Sequence, residues 1–527
     1  MTVANVHAGP EPRPGSRPGT PRVILVNPRM CSPRSVRLPL SILALTAALE
    51  PDGDCVLIDG NMFEDATGQV LEAIGDHSPA VVGITVMPGP QVAPAIAVSR
   101  AVRARHPDVP IVWGGYFPTL HPDAAINAPY VDIVVRGQGE QTFREIVEAA
   151  TGQTRGPLAT SVLEGIPGIT WNDDGRIRHN PDRAFVPPQT FPALPYHRLG
   201  NVKAYLRPSF LGTRTAVHQA AIGCRYRCTF CGVVSMFNGV TLPPGLESLA
   251  ESLYILTHRY GANAIQFYDH NFFDRETTSV PVLETIARFN LPWWCYARAD
   301  TLAGFSTETW RLLRRSRLTM AYIGAEAATD EVLRGMKKGS RVDDTILVAE
   351  RCRTYGIIPE FSFVLGGPDD PDGEITRTFR FIRRLKRAHP RCEIILYVYS
   401  PTPQLDRAAA RRHPTAARIP TLATYGPGGP PPPTTPEGWS TQPWLDYVCH
   451  RDAPWLTPHI RRRIRDFRTV LECRFPTVQD VDTPPWGRAI LKGMASWRYA
   501  LERYAAPAEL RAARRLIPLR VPEAESL

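Results

Sequence analysis

Short apolar runs separated by helix-like segments are the feature that most limits how this chain can fold. Near the N-terminus the runs are apolar at successive positions, as strands buried on both faces are. They lie at 22–27, 55–59, 80–86, 110–115 and 131–137. Amphipathic segments such as 91–106 fill the gaps. Strands that alternate with helices predict a doubly wound, Rossmann-like parallel sheet, and ligands bind such sheets at the carboxyl ends of the strands.

A second alternation of the same kind begins at residue 214. Its apolar runs lie at 214–222, 264–269, 293–298, 320–326, 360–366 and 393–399, with helix-like stretches between them. Six βα units predict a partial (β/α)6 barrel of the TIM type, whose active site lies at the carboxyl ends of the strands. The predicted fold class is therefore α/β, with two parallel-sheet domains in one chain.

The 527 residues exceed what one hydrophobic core usually serves, so several domains are expected. Proline and turn residues make 151–205 look irregular, and "GPGGPPPPTTP" at 426–436 predicts a stiff, extended connector. The predicted organisation is a disordered tail, an N-terminal sheet domain, a linker, a barrel core and a mainly helical C-terminal region that is a candidate substrate cap. The corresponding ranges are 1–20, 21–155, 156–205, 206–402 and 403–527.

Charge and composition indicate a soluble cytoplasmic protein. The formal net charge is +10, but the basic residues are spread over the whole chain, which favours an ordinary solvated surface over nucleic-acid binding. The apolar run 38–49 is shorter than the roughly 20 residues that cross a bilayer, so no membrane association is expected. No signal sequence opens the chain, and ten cysteines are too sparse for a secreted disulfide framework.

The stretch "GCRYRCTFCG" places Cys224, Cys228 and Cys231 in a C-x3-C-x2-C pattern directly after the first predicted barrel strand. A structural zinc site needs four ligands, yet the next cysteine, Cys295, and the nearest histidine, His218, both lie within predicted strands. Four cysteines normally hold a four-iron four-sulfur cluster, so three would leave one iron open for another ligand. The pattern favours such a cluster over zinc, and either over unligated core cysteines.

This motif and its surroundings resemble the radical S-adenosylmethionine (SAM) enzymes that carry an N-terminal cobalamin-binding domain, in particular class B methyltransferases. Four further segments carry the resemblance, at 265–274, 296–300, 323–339 and 361–370. The resemblance implies that the three cysteines bind the cluster and that SAM chelates its open iron. It also implies a set of SAM contacts: Phe230, Tyr268, Asp269, Arg298, Asp300, Glu326 and Gly366. Taken singly, the acidic residues could instead cap helices, Arg298 could form an ordinary ion pair and Gly366 could only make a turn.

The segment 111–143 resembles the corresponding stretch of the family's cobalamin domain, with Gln138 where glutamate is usual. A macrocycle rimmed with amides needs backbone donors and small residues around it. The residues predicted to supply them are Asn27, Thr85, Gly114, Gly115, Tyr116, Gly137 and Gly139. No D-x-H-x-x-G loop is present, and 59–61 has the nearest shape without the imidazole, so we expect cobalamin bound without a histidine ligand. A flavodoxin-like domain with another ligand, or none, is the alternative.

The resemblance implies a methyltransferase that uses SAM twice, once to methylate cobalamin and once as the source of a 5′-deoxyadenosyl radical. The methyl group would reach an unactivated carbon of a small natural-product substrate, with an electron donor such as flavodoxin or ferredoxin. A cyclase, oxidase or ring-rearranging enzyme with the same cofactors is the alternative. Transfer RNA methylthiolation would need three further N-terminal cysteines, whereas only Cys31 and Cys55 are present. A non-catalytic cobalamin sensor would not need the SAM residues.

Overall fold

The computed structural model describes residues 22–33, 35–49, 54–75, 79–151, 158–367, 369–400, 402, 431–480 and 482–522. The predicted disordered tail at 1–20 lies outside the described residues. The same holds for the first part of the predicted connector, 426–430.

The N-terminal domain is built on a seven-stranded sheet with the order β2-β1-β3-β4-β5-β6-β7. Strands β1 to β5 are parallel, and β6 and β7 add antiparallel to one edge. The strands are β1 (Arg22–Asn27), β2 (Asp54–Asp59), β3 (Val81–Thr85), β4 (Ile111–Gly114), β5 (Ile133–Val135), β6 (Ile169–Asp173) and β7 (Arg176–His179). The five predicted N-terminal strands are confirmed, with ends shifted by up to two residues.

Helices cover both faces of this sheet, as the continuous apolar strands require. Alternate residues of β1 belong to two separate cores, because successive side chains in a strand point to opposite faces. One core contains Val23 and Leu25, and the other contains Ile24 and Val26. The helices of this domain are Leu40–Leu49, Ala66–Ile74, Val92–Arg105, Tyr116–Leu120, Pro122–Ile126, Glu140–Thr151 and Thr160–Leu163.

The segment predicted to be an irregular linker is partly ordered as sheet. Asp174 and Gly175 form a two-residue turn with positive φ at both positions, 47° and 88°, which is the turn that joins β6 to β7. The prediction of an irregular linker was wrong for these two strands. The Asp-Gly pair at 174–175 is typical of a hairpin turn, but it lies in a segment where prolines suggest irregular structure. Three 3-10 turns follow, at Pro188–Thr190, Tyr196–Leu199 and Val202–Tyr205.

The second domain is an open barrel of six parallel strands with the order β15-β14-β13-β12-β11-β8. A short antiparallel pair, β9 with β10, lies beside it. The strands are β8 (Thr215–His218), β9 (Ile222–Gly223), β10 (Thr241–Leu242), β11 (Ala264–Phe267), β12 (Trp293–Arg298), β13 (Leu318–Glu326), β14 (Ile358–Leu365) and β15 (Glu393–Val398). The predicted partial barrel is confirmed.

Helices follow the barrel strands and bury one apolar face against the sheet. An example is Thr307–Arg315, where Trp310 and Leu313 are buried. The helices are Gly232–Phe237, Leu246–Tyr254, Glu276–Ala287, Ala299–Ala303, Thr307–Arg315, Asp330–Gly335, Val342–Tyr355 and Pro371–Ala388, with a π-helical turn at Ile255–Arg259.

The C-terminal region is helical, as predicted, and contacts both domains. Trp439 is buried in the N-terminal domain, where it stacks on His121 at a ring separation of 4.0 Å. Phe467 stacks on Phe379 of the barrel at 3.6 Å. The helices are Pro436–Trp439, Gln442–Val448, Pro458–Arg474, Pro485–Ala500 and Ala508–Leu516. Among the described residues, none of the helices has the length and apolar character that a membrane crossing requires.

Candidate active site

The three cysteines of the motif lie on one loop between β9 and the helix Gly232–Phe237. Cys231 is the residue that precedes this helix, and its backbone N–H donates to the carbonyl of Cys228. Burial, together with the neighbouring Cys228 and Cys224 thiols, raises the pKa of Cys231 to about 12. Three thiolates this close repel one another, so a positively charged group must lie among them when they ionise.

The donor set fits an iron–sulfur cluster better than a single ion. One zinc ion needs four ligand atoms within about 2.3 Å, whereas a cluster distributes its thiolates over several irons. Among the described residues, no group of three or more His, Cys, Asp or Glu side chains is arranged around a single metal position. The loop therefore offers three sulfur ligands for a cluster, and the fourth iron would remain open.

Arg298 connects this loop to the end of β12. Its guanidinium binds Asp300 through two hydrogen bonds, of 3.0 and 2.9 Å, and one nitrogen lies 3.5 Å from the Cys228 sulfur. The Tyr226 ring packs over the same guanidinium, with 3.5 Å between the ring centre and Cζ. Burial alone would lower the pKa of Arg298, but Asp300 and the neighbouring Cys228 raise it above its ordinary value. The structure thus brings two predicted SAM contacts, Arg298 and Asp300, to the cysteine loop.

A second buried ion pair stands beside the loop at the end of β13. Lys338 Nζ donates to Glu326 at 2.6 Å, and both side chains are 7% exposed. Glu326 has a φ of 61°, an unusual value for a residue other than glycine, and such strain is characteristic of functional sites. Burial raises the pKa of the Cys224 thiol, and the charges of Arg298 and Lys338 partly oppose that rise. Lys338 and Tyr226 are site residues that the sequence predictions lack, although Lys338 lies within the segment 323–339 that resembles the family.

The remaining predicted SAM contacts occupy different surroundings. Asp269 accepts hydrogen bonds from the backbone N–H groups of Ala220 and Ala221, so it holds the chain that leads to the cysteine loop. Burial raises the pKa of Asp269 to about 7, although these two hydrogen bonds act in the opposite direction. Phe230 contributes its backbone carbonyl to Thr402. For these two residues, as for the other five predicted ones, contact with SAM stays a prediction.

Gly366, another predicted SAM contact, lies under the C-terminal region. Its φ is +77°, and a Cβ at this position would lie 2.7 Å from the Leu456 side chain. The Trp455 indole N–H donates to the Gly366 carbonyl at 2.9 Å. The turn after β14 is therefore fixed from outside the barrel by residues whose role could not be assigned from sequence.

The predicted cobalamin residues gather at the carboxyl edge of the N-terminal sheet. Gly115 has a φ of +96°, and a Cβ there would lie 3.0 Å from Thr85 Oγ1 and 3.2 Å from the Val86 backbone nitrogen. Gly137 has a φ of +73°, and its backbone N–H donates to Thr119 Oγ1 at 3.0 Å. Only glycine suits the first of these turns, because both the backbone and the space around it exclude a side chain.

Asn27, at the end of β1, belongs to a polar network at the same edge. Its amide donates to Asp59 at 3.0 Å and accepts from Gln91 at 2.8 Å. Asn61 also donates to Asp59, at 2.8 Å, and burial raises the pKa of the Asp59 carboxyl. The Asp59 carboxylate of the 59–61 turn thus accepts hydrogen bonds from the side-chain amides of Asn27 and Asn61. Binding of cobalamin without a histidine ligand stays a prediction.

A cavity of about 580 Å³ connects this edge with the barrel. All seven predicted cobalamin residues line it, and from the barrel side His218, Tyr268 and His270 do so. It continues beside the sheet at Gly83, where a Cβ would lie 2.7 Å from the Phe143 ring. The cavity therefore extends from the strand ends, where the predicted cobalamin residues lie, to Gly83 within the sheet.

The two candidate cofactor sites touch each other directly. Tyr116, a predicted cobalamin residue, lines the cavity, yet its hydroxyl lies against Gly232, the residue after Cys231. A Cβ on Gly232 would lie 1.8 Å from the Tyr116 oxygen. The thiol of Cys231 and burial both raise the pKa of Tyr116. The helix that begins at Tyr116 therefore packs on the helix that follows the cysteine loop, and this contact sets the separation of the two sites.

Two separate parts of the chain match known protein families. Residues 32–147 match the family described as "B12 binding domain", and residues 220–382 match the "Radical SAM superfamily". An uncharacterized methyltransferase of Pyrococcus horikoshii is 26% identical over 66% of this chain and 73% of its own length. An anaerobic magnesium-protoporphyrin IX monomethyl ester cyclase of Synechocystis is 24% identical over 69% of this chain and 72% of its own length.

Among solved structures, the radical SAM methyltransferase TsrM of Kitasatospora setae, with cobalamin and a [4Fe-4S] cluster bound, has a similar fold. Its TM-score is 0.64 at 18% identity, covering 94% of this chain and 99% of that one. The predicted fold class is confirmed by this match. The predicted family resemblance is confirmed by the two matching domain families.

Proposed function

The chain combines a B12-binding domain with a radical SAM domain, and from that premise we propose that it is a cobalamin-dependent radical SAM methyltransferase. The radical SAM domain implies a [4Fe-4S] cluster and SAM, and the B12-binding domain implies cobalamin. The observation that carries the proposal is the direct contact of Tyr116 with Gly232 at the rim of one cavity, because methyl transfer to a substrate radical needs both cofactors at one place.

When bound, the reduced cluster and SAM supply a carbon-centred radical, and cobalamin supplies the methyl group. Cys224, Cys228 and Cys231 would hold the cluster. Arg298 and Lys338 place two buried cations beside it, where they attract the SAM carboxylate and offset the charge of the thiolates.

The protein's own contribution is to position the reactants and exclude water. The cavity is lined mainly by apolar side chains, which come from both domains and from the segment 188–194. A dry enclosure protects a radical from side reactions, and fixed placement removes most of the entropy cost of bringing three partners together. We propose a small molecule, methylated at an unactivated carbon, as the substrate, and a flavodoxin or ferredoxin as the electron donor.

The full-length protein, reconstituted anaerobically with iron, sulfide and hydroxocobalamin, provides the test. It is then incubated with SAM, a reductant and an extract of the cells in which the protein naturally occurs. The expected products are 5′-deoxyadenosine, S-adenosylhomocysteine and a compound 14 Da heavier than its substrate. Methyl-labelled SAM should transfer its label to that product. Formation of 5′-deoxyadenosine with no labelled product in any extract would contradict methyl transfer.

A cyclase or oxidase that uses the same cofactors is a second candidate, favoured by the similarity to the Synechocystis cyclase. Cysteine loop and cavity would serve either reaction, because the difference lies in what happens to the substrate radical. Ring closure would change the substrate by loss of hydrogen, so the product mass distinguishes the two functions.

A further inference from the structure

A buried histidine on the barrel side of the cavity has no role in the function proposed above. His218 ends β8, is 5% exposed and lines the cavity. Its Nδ1 is buried without a hydrogen-bond partner among the described residues. Burying a polar group in that position is unfavourable unless it has a hydrogen-bond partner. The buried ring therefore indicates that a ligand supplies the missing hydrogen bond.

The side chains of His218 and Arg298 point to opposite faces of the barrel sheet. In the sheet register it lies beside Phe267, and the two rings are 6.1 Å apart. Phe267 packs on Trp293, on the face of the barrel sheet that carries the apolar core. Arg298 is an odd number of residues from Trp293 along β12, so its side chain points to the opposite face. The His218 side chain thus lies on the face of the barrel sheet opposite to Arg298.

His270 adds a second imidazole to the same wall. It lines the cavity, and its Nδ1 accepts a hydrogen bond from the Gly223 backbone N–H at 3.2 Å. In the neutral ring the proton must then be on Nε2, which can donate. Burial lowers the pKa of His218 and of His270 to about 4, so both rings are uncharged at neutral pH. Together they offer two uncharged groups: Nε2 of His270 can donate, and Nδ1 of His218 can donate or accept according to the tautomer.

The residues that line the same cavity from the N-terminal domain indicate which ligand would meet these rings. They include all seven predicted cobalamin residues, from Asn27 on β1 to Gly139 after β5. A corrin placed on that edge carries acetamide and propionamide groups around its rim, and amides need both donors and acceptors. Resting on the proposed function, we propose that His218 and His270 bind rim amides of cobalamin from the barrel side. Cobalamin would then be held by both domains, not by the N-terminal domain alone.

Affinity for hydroxocobalamin, measured by quenching of tryptophan fluorescence in the full-length protein, tests this inference. His218→Leu is expected to raise Kd about tenfold, since one hydrogen bond is lost and an amide is left unpaired. His218→Asn, which can still hydrogen-bond, should recover part of that loss. His121→Leu is the matched control, because His121 is also a buried neutral imidazole with an unpartnered Nδ1, but it does not line the cavity.

Dicyanocobinamide, which has corrin amides and lacks the nucleotide tail, locates the contact. An equal loss of affinity for cobinamide and cobalamin in His218→Leu is expected. A Kd for hydroxocobalamin within twofold of the wild-type value would overturn the inference, and so would a loss confined to cobalamin, which would place His218 at the tail. Failure of the wild-type protein to bind hydroxocobalamin would instead count against the proposed function itself.

Discussion

Cys228→Ala is expected to abolish both cluster assembly and the cleavage of SAM. Cys228 is the most buried of the three thiols, with 6% exposure, and it alone lies within 3.5 Å of Arg298 among the described contacts of that guanidinium. Two thiolates cannot hold a four-iron cluster that already lacks one protein ligand. Formation of 5′-deoxyadenosine should fall by more than the roughly 10–100-fold that follows loss of an outer-shell residue.

Iron content, the absorbance of the reconstituted protein and chromatographic detection of 5′-deoxyadenosine measure this outcome. Cys352→Ala is the matched control, since Cys352 is also buried, at 1% exposure, but lies in the helix Val342–Tyr355 away from the loop. That variant should keep its cluster and its activity. An intact cluster and wild-type 5′-deoxyadenosine formation in Cys228→Ala would remove the basis for a radical SAM site.

Gly115→Ala is expected to weaken cobalamin binding by tenfold or more while the cluster still assembles. With φ at 96° and ψ at −159°, Gly115 occupies a region that is essentially restricted to glycine, and a side chain there costs on the order of 1–3 kcal/mol. The added Cβ would also press on Thr85, one of the predicted cobalamin residues. Because tenfold in Kd corresponds to about 1.4 kcal/mol, displacement of this turn accounts for such a loss.

Hydroxocobalamin titration of the purified protein checks this expectation. Gly175→Ala is the matched control, because Gly175 also has a positive φ, 88°, but nothing lies within 4 Å of the added Cβ and the residue is remote from the cavity. It should bind cobalamin as the wild type does. If Gly115→Ala does not fold, Gly139→Leu adds bulk at the same edge without a positive φ. Wild-type affinity in either edge variant would contradict the assignment of this edge to cobalamin.

Local sequence patterns were sufficient to predict the two parallel sheets. The strands are apolar on both faces and the helices between them are amphipathic, so burial fixes the register of each element almost independently of its neighbours. The cysteine motif could also be predicted from sequence, because its three sulfur atoms come from one short loop. Features of this kind depend on residues that are close in sequence.

Contacts between distant segments could not be predicted in this way. The contact of Tyr116 with Gly232 depends on the packing of the two domains, and the contact of Arg298 with Cys228 depends on the order of the barrel strands. The C-terminal Trp455 is a further example, since no pattern near it indicates that it fixes the turn at Gly366. Sequence therefore predicted two separate sets of cofactor residues, while the contact between the two candidate sites emerged from the tertiary structure.

The central claim is that the cobalamin site and the cluster site lie side by side, in contact through Tyr116 and Gly232. Pulsed electron paramagnetic resonance on the reconstituted full-length protein tests it most directly, through the relaxation rate of the cob(II)alamin signal. The contact between Tyr116 and Gly232 predicts faster relaxation when the cluster is reduced and paramagnetic than when it is oxidised and diamagnetic. Identical relaxation in the two states, with both cofactors present at full occupancy, would contradict the account.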